Sequence, residues 1–214
     1  MMIPKLHYIS EGNSPNEHLE NIQKACTSGA ELVQLDLKNV SDKKFLKIAV
    51  AARDITSHFQ TRLILSDHYK IAKEVKADGV HLGRAGSCPA KVRKFLYTWQ
   101  LIGAAANTLQ ECETLLVKEV DYISLSPFKS NKNKDKLITV LGLNGYTAIV
   151  EALKTETPLI GFGEITVDDV KDILKTGISG IAVGEEITRN FNSISIFNQL
   201  LAASSTKEKP YKFQ

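Results

Sequence analysis

Short apolar runs alternate with segments of helical spacing along the chain, and residues 62–84 show this unit most clearly. An apolar run at 63–65 ends at Asp67, and residues 70–76 then carry apolar side chains on one helix face. A second apolar run follows at 80–83. A strand–helix–strand unit this short predicts two parallel strands with the helix packed across them.

The same unit recurs over most of the chain. Strands are predicted at residues 6–9, 31–38, 63–65, 80–83, 101–106, 122–125, 158–161 and 181–183. Helices are predicted from residues 15, 41, 70, 89, 108, 145 and 166, with a last one at 194–203. Eight strands alternating with helices predict an α/β fold, a single (β/α)8 TIM barrel at 1–203, followed by a loose polar tail at 204–214. A doubly wound open sheet is disfavoured, because no Gly-x-Gly-x-x-Gly follows the first strand.

Several helix starts carry their own signals. Ser14 precedes Pro15, a combination typical of a capping residue and the first helical position. Thr108 is followed three residues later by Glu111, which matches a capping box. These local signals agree with the periodicity, so the helix starts are more firmly predicted than the helix ends.

Composition narrows the class of function. The 214 residues carry a net charge of +3 with no basic stripe interleaved with aromatics, so we expect no nucleic-acid partner. No apolar run reaches the length of a membrane span, and the first ten residues are too polar for a secretory signal. The three cysteines match no zinc or redox spacing, so we expect free thiols and a cytoplasmic protein. A homo-oligomer is compatible with all of this.

Polar residues follow the predicted strands, where a parallel barrel carries its function. They are Gln34, Lys38, Ser66, Asp67, a Lys-rich loop at 129–136, Gly163 with Glu164, and Gly184 with Glu185. Because the carboxyl ends of all eight strands meet at one mouth, we expect Gln34, Lys38, Asp67, Lys134 and Gly163 to surround it.

Read in order, these strand ends form a pattern. The motifs are QLDLK at 34–38, SD at 66–67, DGVHLG at 78–83, DYISLSP at 121–127, the Lys-rich loop, IGFGEI at 160–165 and GIAV at 180–183. The ordered set resembles the thiamine-phosphate synthase family of (β/α)8 barrels over nearly the whole chain. Each fragment alone is weak, but their order and spacing are specific.

The resemblance implies a reaction and a set of roles. Members of that family join a pyrimidine diphosphate to a thiazole phosphate and release diphosphate, with Mg²⁺ and cationic side chains around the leaving group. For the pyrimidine diphosphate it implies Gln34, Lys38, Ser66 and Lys134. For the thiazole phosphate it implies Asn131, Asn133, Gly163 and Gly184, and for Mg²⁺ it implies Asp67. The substrates would therefore be small phosphorylated molecules.

The chain departs from the family pattern at several positions. Asp36 stands where the family has Arg, Gly86 where it has a second magnesium Asp, Ala105 where it has Ser, Glu164 where it has Gly, and Glu185 where it has Ser. A divergent synthase is one interpretation. The alternatives are a barrel without catalysis that acts as a binding or regulatory protein, and a different small-molecule enzyme on the same scaffold.

Three candidate residues also have simpler interpretations. Asp67 is well placed to cap the helix that begins near Tyr69. His81 lies in an apolar strand, where a hydrogen-bonded core histidine is the commoner role. The Lys-rich loop at 129–136 has the composition of an ordinary solvated loop, although its length and position also suit a lid.

Overall fold

Eight parallel strands close into a barrel in the computed structural model, which describes residues 3–129 and 139–203. Neighbours in sequence are neighbours in space, and β1 pairs with β8 to close the ring. The predicted single (β/α)8 TIM barrel is confirmed. The predicted tail at 204–214 and most of the Lys-rich loop lie outside the described residues, including Asn131, Asn133 and Lys134.

Every strand is short, and helices separate all of them. The strands are β1 Leu6–Ile9, β2 Leu32–Leu35, β3 Arg62–Ser66, β4 Gly79–Leu82, β5 Leu101–Ala106, β6 Tyr122–Leu125, β7 Leu159–Phe162 and β8 Gly180–Val183. The helices are α1 Pro15–Thr27, α2 Asp42–His58, α3 Tyr69–Glu74, α4 Pro89–Arg93, α5 Leu109–Val117, α6 Gly142–Leu153, α7 Val170–Lys175, α8 Glu185–Arg189 and α9 Ser193–Ala203. A 3₁₀ turn at Val167–Asp169 precedes α7. Among these described elements, none is a helix both long and apolar enough to cross a bilayer.

The predicted helix caps form hydrogen bonds. The Ser14 hydroxyl accepts from the Glu17 N–H at 3.2 Å, and the Thr108 hydroxyl accepts from the Glu111 N–H at 3.2 Å. The Glu111 carboxylate reaches back to the N–H of Asn107, one residue before the cap. These contacts satisfy backbone donors that an uncapped first turn leaves without partners.

The structure differs from the predicted elements where tertiary contacts intervene. The second strand ends at Leu35 rather than at residue 38, and the N–H of Asp36 donates to the Ser10 hydroxyl instead of continuing the ladder. Helix α4 ends at Arg93, whose guanidinium donates to the Gln100 carbonyl and to Asp121. Helix α8, directly after β8, was not predicted, because five residues are too few to show a periodic pattern.

The strands are buried on both faces, as expected for a parallel barrel. In β6, Ile123 and Leu125 belong to the large core between sheet and helices, whereas Tyr122 belongs to a smaller cluster inside the barrel. A Cβ at Gly103 of neighbouring β5 would lie 1.9 Å from the Tyr122 ring, so only glycine leaves room for that ring. The aromatic ring therefore fills the barrel interior below the mouth.

Candidate functional site

A small cavity opens at the carboxyl ends of the strands, and we call it the inner cavity. It measures about 170 Å³. It is lined by His7, Ile9, Gln34, Asp36, Lys38, Ser66, Asp67, His81, Gly83, Ala105, Tyr122, Ser124, Ser126, Ile160, Phe162 and Ala182. Three residues predicted to share a mouth, Gln34, Lys38 and Asp67, therefore lie around one space.

A wider cavity, here the outer cavity, adjoins it beside β1, β7 and β8. It measures about 840 Å³ and shares Ile9, Asp36, Lys38, Phe162 and Ala182 with the inner cavity. The loops after β1, β2, β7 and β8 and the first turn of α1 contribute to the rest of its wall, with Gly163 and Gly184 among the lining residues. Both glycines thus lie at the same end of the barrel as Gln34 and Asp67.

Uncharged polar groups form much of the inner wall. The Gln34 side-chain N–H donates to the Ser66 hydroxyl at 2.9 Å, and both residues are buried. This bond uses the amide nitrogen and leaves the Gln34 carbonyl oxygen as an acceptor. Because a buried amide is costly without partners, the pair fixes the orientation of Gln34 before any ligand arrives.

Asp67 lies at the rim and holds the next loop. Its backbone is in the left-handed region, with φ of +58°, and its Oδ1 accepts from the Gly83 N–H at 2.9 Å. Helix α3 has no side-chain cap, so the interpretation of Asp67 as its capping residue is wrong. The carboxylate instead joins the end of β3 to the loop after β4 and stays exposed at the mouth.

Gly86, where the family pattern has a second acid, lies against Asp67. A Cβ at this position would be 2.6 Å from Asp67 Oδ1 and 2.8 Å from the Gly83 carbonyl oxygen. A side chain at 86 therefore requires the loop to move. Across residues 3–129 and 139–203, no three His, Cys, Asp or Glu side chains converge as a metal-binding group.

Two histidines and a tyrosine form the base of the inner cavity. His81 Nδ1 and the Tyr122 hydroxyl are 3.2 Å apart, and His7 Nε2 donates to the Pro4 carbonyl at 3.0 Å. Burial lowers the pKa of His81 to about 4, although Asp67 and Asp36 oppose the shift. Burial, with a smaller contribution from His81, lowers the pKa of His7 to about 3. Both rings are neutral at neutral pH, and burial raises the pKa of Tyr122.

The charged residues at the junction of the two cavities are already paired. Asp36 Oδ2 lies 3.2 Å from Lys38 Nζ. The Lys38 side chain is 74% exposed and that of Asp36 is 25% exposed, so water screens this pair. Lys38, which the resemblance assigns to diphosphate binding, therefore already lies beside the carboxylate of Asp36.

Carboxylates dominate the outer cavity. Among the described residues, its charged lining consists of Glu11, Glu17, Asp36, Glu164, Glu185 and Glu186, with the cations Lys38 and Arg189. Glu185 forms an ion pair with Arg189 one turn later in α8. A Cβ on Gly184 would lie 2.5 Å from Glu11 Oε1, so that carboxylate lies directly against the glycine.

The end of β7 has an unusual backbone. Gly163 has φ of +116°, and a Cβ there would meet the Phe128 nitrogen at 2.8 Å. Only glycine suits both the conformation and the close approach. Glu164 follows with φ of +50°, a region that glycine adopts at lower cost than glutamate.

Both edges of the Lys-rich loop are anchored. The Asn107 side-chain N–H groups donate to the Ser126 carbonyl at 2.7 Å and to the Thr139 carbonyl at 2.9 Å. Lys129 donates to both carboxylate oxygens of Asp169 at 2.6 and 2.7 Å. Burial acts to raise the pKa of Asp169, but the bonds from Lys129 and Thr166 outweigh it and hold that pKa below its usual value.

Sequence reasoning gave no role in this site to Ser124, Tyr122 or Glu11, and it gave His81 a purely structural one. Ser124 and Tyr122 face the inner cavity from β6, and the alternation within YISL was the available signal. Glu11 was passed over as part of a loop, and no local pattern connects it to Gly184. His81, interpreted as an ordinary core histidine, lines the cavity as a neutral ring.

Comparison with known proteins agrees with this arrangement. The model of a family described as thiamine monophosphate synthase matches residues 6–187. The thiamine-phosphate synthase of Flavobacterium psychrophilum is 37% identical over 202 residues, covering 93% of this chain and 98% of that protein. That of Flavobacterium johnsoniae is 33% identical, covering 93% and 95%. The thiamine phosphate pyrophosphorylase structure from Pyrococcus furiosus has the same fold, with a TM-score of 0.79 and 24% identity over 94% of this chain and 96% of that one. The chain therefore belongs to the thiamine monophosphate synthase family.

Proposed function

We propose that this protein is a thiamine-phosphate synthase. It would be a transferase that joins 4-amino-2-methyl-5-(diphosphooxymethyl)pyrimidine to thiazole phosphate, forming thiamine phosphate and diphosphate in thiamine biosynthesis. Family membership supports the reaction class. The observation that carries the proposal is the inner cavity, where buried uncharged hydrogen-bonding groups lie directly below an exposed carboxylate and a lysine.

The inner cavity suits a small polar heteroaromatic ring. Gln34 offers a fixed carbonyl acceptor, and the Ser66 hydroxyl, which accepts from Gln34, has its own proton to donate. An aminopyrimidine carries amino donors and ring-nitrogen acceptors, so it matches both groups. The diphosphate would then extend towards the rim, where Lys38 and Asp67 lie.

The proposed reaction needs little acid–base catalysis. The bond between the pyrimidine methylene carbon and the diphosphate oxygen breaks, and its electron pair leaves with diphosphate. The thiazole ring nitrogen then donates its lone pair to the cationic carbon, forming the new C–N bond. A neutral His81 suits this chemistry, because a charged imidazolium in the same cavity would repel the developing cation.

The proposal includes Mg²⁺. Asp67 can serve as a ligand, whereas Gly86 stands where the family pattern has a second acid. Asp67 uses Oδ1 to accept from Gly83 while its carboxylate remains exposed at the rim, so it can supply a ligand beside substrate oxygens. Mg²⁺ is commonly bound by one or two carboxylates together with substrate phosphates. When bound, it neutralises charge on the departing diphosphate. We expect weak Mg²⁺ binding to the free protein and stronger binding in the presence of diphosphate.

The cysteines support a further part of the proposal. Cys26, Cys88 and Cys112 are all free thiols. Free thiols persist in a reducing compartment, and we propose the cytoplasm as the location of the protein.

The decisive experiment is a direct assay. Purified protein is incubated with Mg²⁺ and both substrates, and thiamine phosphate is measured by fluorescence after oxidation, with diphosphate release measured in parallel. We expect both products in equal amounts, and a loss of at least about 100-fold in kcat for Asp67→Asn, since charge stabilisation of a leaving group has that scale. A folded protein that forms neither product would refute the proposal.

A second candidate function is binding without catalysis. It is favoured by the ion pair between Asp36 and Lys38 and by the carboxylates of the outer cavity. Calorimetry separates the two candidates. A protein that binds the pyrimidine diphosphate or thiamine phosphate but forms no product in the assay fits the second candidate, whereas product formation excludes it.

A further inference from the structure

One buried hydroxyl of the inner cavity has no assigned role. Ser124 on β6 is 4% exposed and lines the cavity. In the part of the chain that the structure describes, its side chain makes no hydrogen bond to protein. Within the described residues only the Ser193 hydroxyl is both fully enclosed and without a partner, so the Ser124 hydroxyl is open to the cavity and available to a ligand that enters it.

The surroundings of Ser124 limit what that partner is. The Tyr122 hydroxyl is hydrogen-bonded to His81, and the Gln34 side chain is hydrogen-bonded to the Ser66 hydroxyl. Gln34, Ser66 and Tyr122 are uncharged polar side chains that line the same cavity. The part of a ligand that matches these groups is therefore an uncharged ring with its own donors and acceptors.

The register of the barrel gives a second, independent observation. Ser124 on β6 is paired with Ala105 on β5, and both residues line the inner cavity. Neighbouring strands lie about 4.8 Å apart, so a hydroxyl at either position reaches the same part of the cavity. The family pattern expects a serine at 105, where this chain has alanine. This chain therefore has its hydroxyl on β6, one strand away from the position at which the family pattern has a serine.

We propose that Ser124 is a specificity-determining residue that hydrogen-bonds the aminopyrimidine ring of the substrate and replaces a hydroxyl at position 105. The inference rests on the proposed function for the identity of the ring. It explains how the cavity keeps a full set of ring contacts although Ala105 has no polar group. It also predicts that the two positions are interchangeable, because only the hydroxyl is needed and not a particular strand.

The test uses Ser124→Ala, the double variant Ser124→Ala with Ala105→Ser, and the control Ser193→Ala. Ser193 is the matched control, since its hydroxyl is buried and without a partner but lies at the start of α9, away from the cavity. Two quantities are measured: the KM values for both substrates, and the Kd for the unphosphorylated hydroxymethyl aminopyrimidine by calorimetry. The Kd needs no catalysis, so it reports on Ser124 even if the protein proves inactive.

We expect Ser124→Ala to raise the KM of the pyrimidine diphosphate and the Kd of the aminopyrimidine about tenfold, the effect of about 1.4 kcal/mol. The KM of thiazole phosphate and the melting temperature should stay unchanged, and a merely structural serine would not produce that separation. Adding Ala105→Ser should bring the KM of the pyrimidine diphosphate and the Kd of the aminopyrimidine back to within about threefold of the wild-type values. Ser193→Ala should leave both constants unchanged.

Several outcomes would overturn the inference. They are an unchanged Kd in Ser124→Ala, a loss that Ala105→Ser does not reverse, and wild-type protein that does not bind the aminopyrimidine. Absent turnover together with the expected changes in Kd would refute the proposed synthase function and still support the role of Ser124. Failure of the two proposals is therefore distinguishable.

Discussion

The two cavities at the mouth of the barrel are built in opposite ways. The inner cavity is narrow, and below the charged residues of its rim it is lined by buried, uncharged polar groups such as the hydrogen-bonded pair of Gln34 and Ser66. The outer cavity is about five times larger, and exposed carboxylates such as Glu164 and Glu185 dominate its charge. The inner half of the site therefore presents uncharged groups, whereas the outer half presents carboxylates at the place where the family resemblance would put a phosphate.

This difference implies that substitutions in the two halves of the site have unequal costs in stability. Changing a buried hydrogen-bonded residue leaves its partner without a contact, which costs about 1–3 kcal/mol. Changing an exposed strand-end residue costs little stability, so Glu164 and Glu185 are tolerated by the fold whatever they do to a ligand. The predictions below test each side of this contrast, beginning with the largest effect.

The neutral character of the inner cavity should make the protein sensitive to acid. The pKa values of His7 and His81 in the folded chain are about 3 and about 4, below the ordinary 6.5. Between pH 6.5 and 4 the unfolded chain therefore binds more protons, and stability falls as pH falls. His7 and His81 alone make the slope approach about 2.7 kcal/mol per pH unit, and His18, whose pKa burial also lowers, adds to it.

Urea unfolding at pH 7, 6 and 5 measures this slope. That range lies mostly above the titration of carboxyl groups such as Glu111, whose ordinary pKa is 4.5 and whose pKa in the fold is lowered, so their contribution is lost mainly below about pH 5. His81→Asn should lower the slope by up to about 1.4 kcal/mol per pH unit. His58→Asn, at an exposed position on α2, should leave the slope unchanged. A stability that stays constant from pH 7 to pH 5 would contradict the neutral cavity.

Removing the fixed acceptor of the inner cavity should abolish most activity. Gln34→Leu deprives both the ring and Ser66 of a hydrogen-bond partner. We expect kcat/KM for the pyrimidine diphosphate to fall about 100-fold, equivalent to about 2.7 kcal/mol. Steady-state kinetics measures the change, and Gln110→Leu on the exposed face of α5 is the control. A fall of less than threefold would show that the inner cavity is not the ring site.

Removing the two acids of the outer cavity should improve its affinity for phosphate. Two like charges about 4 Å apart repel by roughly 4 kcal/mol at an effective dielectric near 20, and half of that exceeds a tenfold change in affinity. The double variant Glu164→Gly with Glu185→Ser should therefore lower the KM of thiazole phosphate more than tenfold and leave that of the pyrimidine diphosphate unchanged.

A matched control removes two acids at the opposite end of the barrel. Glu31→Ser with Glu156→Gly changes the net charge equally, but Glu31 directly precedes β2 and Glu156 lies three residues before β7. Kinetics with both variants separates a local from a general charge effect. Equal improvement in both pairs, or a low KM for thiazole phosphate in the unmodified protein, would contradict the contrast between the cavities.

The smallest effect concerns the backbone at Glu164. Its φ of +50° suits glycine, so Glu164→Gly should cost at least about 1 kcal/mol less in unfolding free energy than Glu20→Gly, which places glycine inside helix α1. Urea denaturation of both variants and the wild type measures the difference. Equal losses of stability would mean that Glu164 makes contacts worth as much as its strained backbone costs.

The sequence alone determined the elements and the positions at their ends. Apolar periodicity and caps such as Ser14 and Thr108 act within one or two helical turns, so they predicted the barrel and placed Gln34, Asp67 and Gly163 at one mouth. The strand-end motifs, read in order, also indicated the family.

Only the tertiary structure decided how those strand ends meet. The pairing of Ala105 with Ser124, and the approach of Glu11 to Gly184, depend on strand register and on closure of β1 against β8. The ion pair of Asp36 with Lys38 and the bond from Gly83 to Asp67 likewise depend on loop geometry. No local pattern encodes these contacts, because they join residues whose separation is fixed only when all eight strands close the ring.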